Sequence, residues 1–174
     1  MKHSLASSAY NERRSQCQEG VRLIQDTEPQ VYSLRYATEE MLLKYVKPVD
    51  ETVYNRCSYV VAENGRLLMG CKDLEKDDLP SFGKRMFETH AGLRDLYEVS
   101  CEELDILVDL VKDDPDVIGA RMMGGGFGGC TINLVKAEGV DRLIEKVSEG
   151  YKIKTGRELL VYEVDIENGT GLIK

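Results

Sequence analysis

Apolar residues recur at helical spacing through the first two thirds of the chain, and the β-branched alternation of strands enters only after about Pro115. The pattern predicts helices first and sheet afterwards. Ser7 or Ser8 is placed to cap a helix through Cys17, Val21 and Ile24, and Thr38 followed by Glu39 and Glu40 marks a second start. A third helix is predicted from near Asp50 past Val53, Cys57, Val60 and Val61 towards Leu68. Within it Gly65 is either a cost of about 1 kcal/mol or a local break. Asp78-Leu79-Pro80-Ser81 opens a further helix carrying Phe82, Met86 and His90, since proline is tolerated in the first turn, where its missing N–H has no intrahelical partner. Ser100 and Glu103 have the spacing of a capping box, with Leu104, Leu107, Val108 and Val111 following on one face; Asp113-Asp114-Pro115 ends that helix.

Beyond Pro115 an apolar run from Val117 to Met123, the loop GGGFGG from Gly124 to Gly129 and a second run from Cys130 to Val135 predict strand, glycine turn, strand. Val140, Leu143, Ile144, Val147 and Tyr151 mark an amphipathic helix closed by Gly156, and Leu159 to Val164 reads as another strand. Asn168-Gly169 is a turn signal that would return Leu172 and Ile173 as a short edge. The fold class is therefore α+β, and with no internal repeat or low-complexity linker the expectation is one domain over residues 1–174.

A chain of 174 residues can bury a core without disulfides or metal, but is shorter than the usual two-domain sugar or nucleotide enzyme of roughly 300 residues. The 31 acidic against 23 basic residues argue against nucleic acid, whose phosphates need clustered Lys and Arg. The doublets Arg13-Arg14 and Lys84-Arg85 read as solvated faces or local ion pairs. Five scattered cysteines with no CxxC, and only two histidines, suggest reduced thiols rather than a metal site. The first residues show no apolar leader core, and no run approaches the ~18 apolar residues of a membrane helix, so the expectation is a cytoplasmic protein without membrane partners. His90, four residues before Arg94, reads as a packing residue, as does the Arg94-Asp95 pair. Asp73, Glu75, Asp77 and Asp78 lack calcium-site spacing and read as solvated.

Gly124 to Gly129 satisfies GxGxxG, yet a strand rather than a helix follows it, which excludes the dinucleotide-binding reading. It lacks the Gly-Lys-Ser/Thr ending of a P-loop, and the chain lacks the HRD and DFG elements of protein kinases. Five glycines in six positions exceed what a hairpin requires. They suit a loop whose backbone N–H groups a ligand or another loop approaches closely, although the pattern names no ligand.

The segment GARMMGGGFGGCT, Gly119 to Thr131, closely resembles the third signature motif of the galactokinase family within the GHMP kinase superfamily. KHSLASSAYNERRSQC, Lys2 to Cys17, resembles the segment opening that family's C-terminal domain, and FGKRMFETHAGLRDLYEVSCEELD, Phe82 to Asp105, resembles its next block. The resemblance implies a GHMP-kinase C-terminal domain, a ferredoxin-like sheet with additional helices. It also implies ATP-dependent, Mg2+-assisted phosphorylation of galactose to galactose 1-phosphate in the complete enzyme. The family's sugar-binding first motif, Ser-rich phosphate loop and catalytic aspartate match no segment here. The isolated chain is thus expected to be inactive, with no catalytic residue or tightly bound cofactor of its own, and to meet galactose and ATP through an N-terminal half.

By the same resemblance Tyr10 corresponds to the tyrosine whose hydroxyl contacts galactose, and Gly124, Gly125, Gly126, Phe127, Gly128 and Gly129 form the loop close to the ATP phosphates. Met123 stands where Thr or Ser is commoner, and Arg121 either faces the domain interface or caps the strand face. The family's sheet takes a strand just before the segment matching Lys2, so the resemblance implies a sheet edge left unpaired or filled by the C-terminus or a neighbouring molecule, which invites self-association. A noncatalytic sugar-sensing or protein-interaction module, or another sugar kinase such as one acting on N-acetylgalactosamine, remains open as an alternative.

Overall fold

The computed structural model describes residues 3–165 and residue 169. Helix α1 spans His3–Gln25; it begins before the expected cap at Ser7 or Ser8, since no proline or glycine interrupts its first turns. Helix α2, Glu39–Met41, runs on into a π-helical turn, Leu42–Val46, and starts where Thr38 Oγ1 accepts the Met41 N–H at 3.3 Å. Helix α3, Glu51–Glu75, is capped by Asp50, which accepts from the Val53 N–H at 2.9 Å. It passes straight through Gly65, where a Cβ would meet nothing within 4 Å, so the glycine costs only its intrinsic propensity. Ile24, Leu42, Val46 and Cys57 are fully buried between these helices and make the first core.

Helix α4, Leu79–Asp95, has Asp78 as its cap and Pro80 in its first turn, as expected. Helix α5, Glu102–Val111, buries Leu104, Leu107, Val108 and Val111. Its expected capping box does not form. Cys101 takes the cap position, the Ser100 hydroxyl donates instead to Asp105 Oδ1 at 2.6 Å, and Glu103 is held by Arg157 at 2.7 Å.

Strands β1, Val117–Met123, and β2, Cys130–Val135, pair antiparallel with Met123 opposite Cys130. A single 3-10 turn, Ala137–Gly139, leads into helix α6, Val140–Thr155, which Gly156 ends at φ 71°. Ala120 of β1 packs with α5 and α6 in the second core. On the sheet's opposite side α4 approaches glycine on glycine: a Cβ on Gly119 would lie 2.6 Å from Gly83 Cα. The α5–α6 end is pinned by Asp114, a buried carboxylate accepting from Arg142 at 2.6 Å and Lys146 at 2.9 Å.

The α+β expectation therefore holds, with a sheet of two strands among the described residues. Leu159 to Val164 is not a strand: Leu160, Tyr162 and Val164 are exposed, and only Leu159 packs against the second core. An apolar run forms a strand only against a neighbour, and this segment has no ladder partner among the described residues. Asn168, Leu172 and Ile173, on which the expected final turn and edge rest, lie outside the described residues. Two charged residues read as solvated are also buried: Asp73 is paired with Arg85 of α4, and Arg13 is nine-tenths enclosed. Among the described residues no helix is long and apolar enough to cross a membrane.

Candidate functional site

The glycine loop joins β1 to β2 through left-handed backbone. Gly124, Gly126, Gly128 and Gly129 have φ of 89°, 90°, 127° and 112°, and Phe127, the one side chain among them, sits at 61°. Glycine adopts these angles freely, which explains the composition locally. The loop has two different faces. At Gly124, Gly125 and Gly128 a Cβ would meet nothing within 4 Å, so the backbone there lies open. At Gly126 a Cβ would run into the Val99 carbonyl and sit 2.6 Å from Val99 Cβ.

Val99 belongs to the link between α4 and α5, and its carbonyl accepts the Phe127 N–H at 2.7 Å. The Phe127 ring joins Val99, Leu104 and Met122 in a third apolar cluster. Phe127 is thus an anchor: its amide is committed to the link, and its ring closes the loop's inner face.

The link is itself held from two other helices. Arg56 of α3 donates to the Leu96 carbonyl and, at 2.6 Å, to the Glu98 carboxylate. Arg13 of α1 donates from Nε to the Tyr97 carbonyl at 2.6 Å and from its terminal nitrogen to the Glu98 carbonyl at 3.1 Å. Four consecutive carbonyls, Leu96 to Val99, are each engaged, three by guanidinium groups and the fourth by the glycine loop. Glu98 adopts φ 52°, a conformation that costs a non-glycine residue roughly 1–2 kcal/mol. Its carboxylate and carbonyl are both tied to arginines, and the hydrogen bond from Arg56 holds its carboxyl below the usual range.

Tyr10 lies on α1 and is exposed. Tyr10, Arg13 and Cys17 follow at i, i+3 and i+7, one face of a helix, and from that face Arg13 and Cys17 reach the Tyr97 carbonyl and hydroxyl. Cys17 Sγ stands 3.8 Å from the Tyr97 hydroxyl. The Cys17 thiol is pulled down to about 7, chiefly by its hydrogen bond with Cys57 and then by Tyr97, Arg56 and Arg13, against the opposing effect of burial. Burial raises the Tyr97 hydroxyl. Helix α1, which carries Tyr10, and the glycine loop, far apart in sequence, are therefore both tied to one short link, α1 through Arg13.

His90 is buried, as a packing residue should be: its Nδ1 accepts the Met122 N–H at 3.3 Å on the outer edge of β1, and burial lowers its basicity. Arg121 donates back to the Met122 carbonyl at 3.2 Å, a local contact on its own strand, and Met123 is partly exposed at the loop's start. A separate groove of about 390 Å³, lined by residues including Pro80, Phe87 and Val117, lies at the opposite end of β1 from the loop. Arg13, Arg56, Tyr97 and Glu98 went unmarked in the sequence reading as site residues. Arg13, Tyr97 and Glu98 fall within the family-like segments, but the bonds that join Arg13 to the other two span more than eighty residues.

A family model described as GHMP kinases C terminal matches residues 72–153, which run from the end of α3 through the glycine loop to α6. Residues 72–153 belong to that family. Among curated relatives of this GHMP kinase domain, the galactokinase of Fusobacterium nucleatum is 39% identical over 99% of the chain and 45% of the relative. That of Clostridium beijerinckii is 44% identical over 97% of the chain and 43% of the relative. Among solved structures, Lactococcus lactis galactokinase complexed with galactose superposes with a TM-score of 0.83 at 33% identity, over 91% of the chain and 41% of that structure. The chain spans less than half the length of these relatives.

Proposed function

We propose that this chain acts as the C-terminal part of a galactokinase, which transfers the γ-phosphoryl group of ATP to galactose and releases ADP and galactose 1-phosphate. The observation that carries the reading is the match along nearly all of the chain to galactokinases, with the helix that carries Tyr10 and the glycine loop both tied to one link. Tyr10 supplies a hydroxyl for a sugar oxygen beside a ring face for the sugar's C–H surface. Gly124, Gly125 and Gly128 suit the ATP side, because bare backbone lets a phosphate approach where a side chain would block it. Phe127 holds the loop and contacts no phosphate.

ATP and Mg2+ belong to the complete enzyme, and we assign no metal ligand or catalytic base to residues 1–174. Phosphoryl transfer depends on positioning and on electrostatic stabilisation, and in this reading the remainder of the enzyme supplies the metal and the carboxylate. We place the enzyme in the cytoplasm and treat the chain as one domain. The edge strand β2, with Cys130, Ile132 and Asn133 exposed, is where a second copy would pair; light scattering that shows only monomer at high concentration overturns that pairing.

The galactose assignment is tested with Tyr10→Phe in enzyme reassembled with an N-terminal part. Loss of one hydroxyl contact should raise KM for galactose roughly 10-fold while leaving KM for ATP unchanged. An unchanged galactose KM removes Tyr10 from the sugar site.

A further inference from the structure

Two guanidinium groups, one from α1 and one from α3, end on the same four-residue link. The Arg56 side chain is 4% exposed and that of Arg13 11%, so both charges have been taken largely out of water, which is expensive unless every bond counts. Their bonds go mainly to consecutive backbone carbonyls of the link, fixing its path residue by residue. The path ends at the Val99 carbonyl, which receives the Phe127 N–H and lies where Gly126 has no room for a side chain. A shift of the link therefore moves the glycine loop. Arg13 also stands one turn after Tyr10 on the same face of α1, so one side chain relates the helix carrying the tyrosine to the link carrying the loop.

We infer that Arg13 and Arg56 are positioning residues that set the glycine loop against Tyr10 through the Leu96–Val99 link, touching no substrate atom themselves. The catalytic part of this inference rests on the galactokinase reading; the structural part does not. Lysine cannot replace either residue, because a single ammonium cannot reach both acceptors that each planar fork spans.

The test is amide hydrogen exchange on the 174-residue chain, comparing wild type with Arg13→Gln, Arg13→Lys and Arg56→Gln. The account expects protection of the Phe127 amide to fall roughly 10-fold or more in both Gln variants, with Arg13→Lys between Gln and wild type. The amides of Val108 and Val147, in the α5–α6 core, should keep theirs. Unchanged protection at Phe127, or an equal fall at Val108 and Val147, overturns the inference, the second result meaning that the arginines only stabilise the fold. Should Arg56→Gln fail to fold, Arg13→Gln decides alone.

In the reassembled enzyme, Arg13→Gln should lower kcat by roughly 10- to 100-fold with little change in either KM, because binding survives while alignment is lost. A kcat equal to wild type overturns the catalytic part. Wild-type enzyme without galactose phosphorylation defeats the galactokinase reading, while the Phe127 exchange result still decides the structural part.

Discussion

The Phe127 N–H donates to the Val99 carbonyl at 2.7 Å, and this bond ties the glycine loop to the link between α4 and α5. It divides the loop into an inner half that is built in and an outer half of bare backbone. The glycines on the two halves should therefore respond differently to substitution.

Gly126→Ala places a Cβ against the Val99 carbonyl at φ 90°. Both the clash and the left-handed backbone oppose it, and stability should fall by about 1–3 kcal/mol in urea unfolding of the chain. Gly125→Ala, with an ordinary φ and open space, should change stability by less than about 1 kcal/mol. Equal losses would mean that the two halves of the loop do not differ.

Asp114 should make the fold sensitive to acid. Hydrogen bonds from Arg142 and Lys146 hold its carboxyl well below the usual carboxylate range. A depressed folded value means that its contribution is complete above the unfolded value of about 4 and is lost as pH falls towards the folded one. Asp114→Asn should melt below wild type at pH 7, with the gap constant down to about pH 5 and narrowing below about 4. A gap that does not change with pH would assign Asp114 a packing role only.

Cys17 should titrate near neutral pH. With its value pulled to about 7, alkylation by iodoacetamide should rise with pH around a midpoint near 7. Cys57→Ala removes the largest cause and should return the midpoint towards the ordinary thiol value of about 8.5. A midpoint that Cys57→Ala leaves in place would show that the two thiols do not interact.

The sequence made legible whatever is encoded within a few residues. The caps at Thr38, Asp50 and Asp78, the buried face of α5 and the strand–glycine–strand unit are all local, and all form. The failures share one physical cause, a partner far away in the chain. Ser100 and Glu103 have capping-box spacing, but Asp105 and Arg157 compete for their side chains. Asp73 and Arg13 look solvated until Arg85 and the Tyr97–Glu98 carbonyls enclose them. Leu159 to Val164 has the apolar, β-branched composition of a strand but, among the described residues, no strand beside it. For the site, the glycine loop stands out by its composition and Tyr10 by resemblance, whereas the arginines that hold the link emerge only when α1, α3 and the α4–α5 link meet in space.

The central claim is that these residues are one part of a galactose-phosphorylating enzyme, and reassembly tests it most directly. The chain is co-expressed with the N-terminal part of Clostridium beijerinckii galactokinase that its match leaves uncovered, the complex is purified, and galactose 1-phosphate formation from ATP and galactose is measured. The account predicts turnover by the complex and none by either part alone. A purified, stable complex that forms no galactose 1-phosphate, or turnover by the 174-residue chain alone, would contradict it.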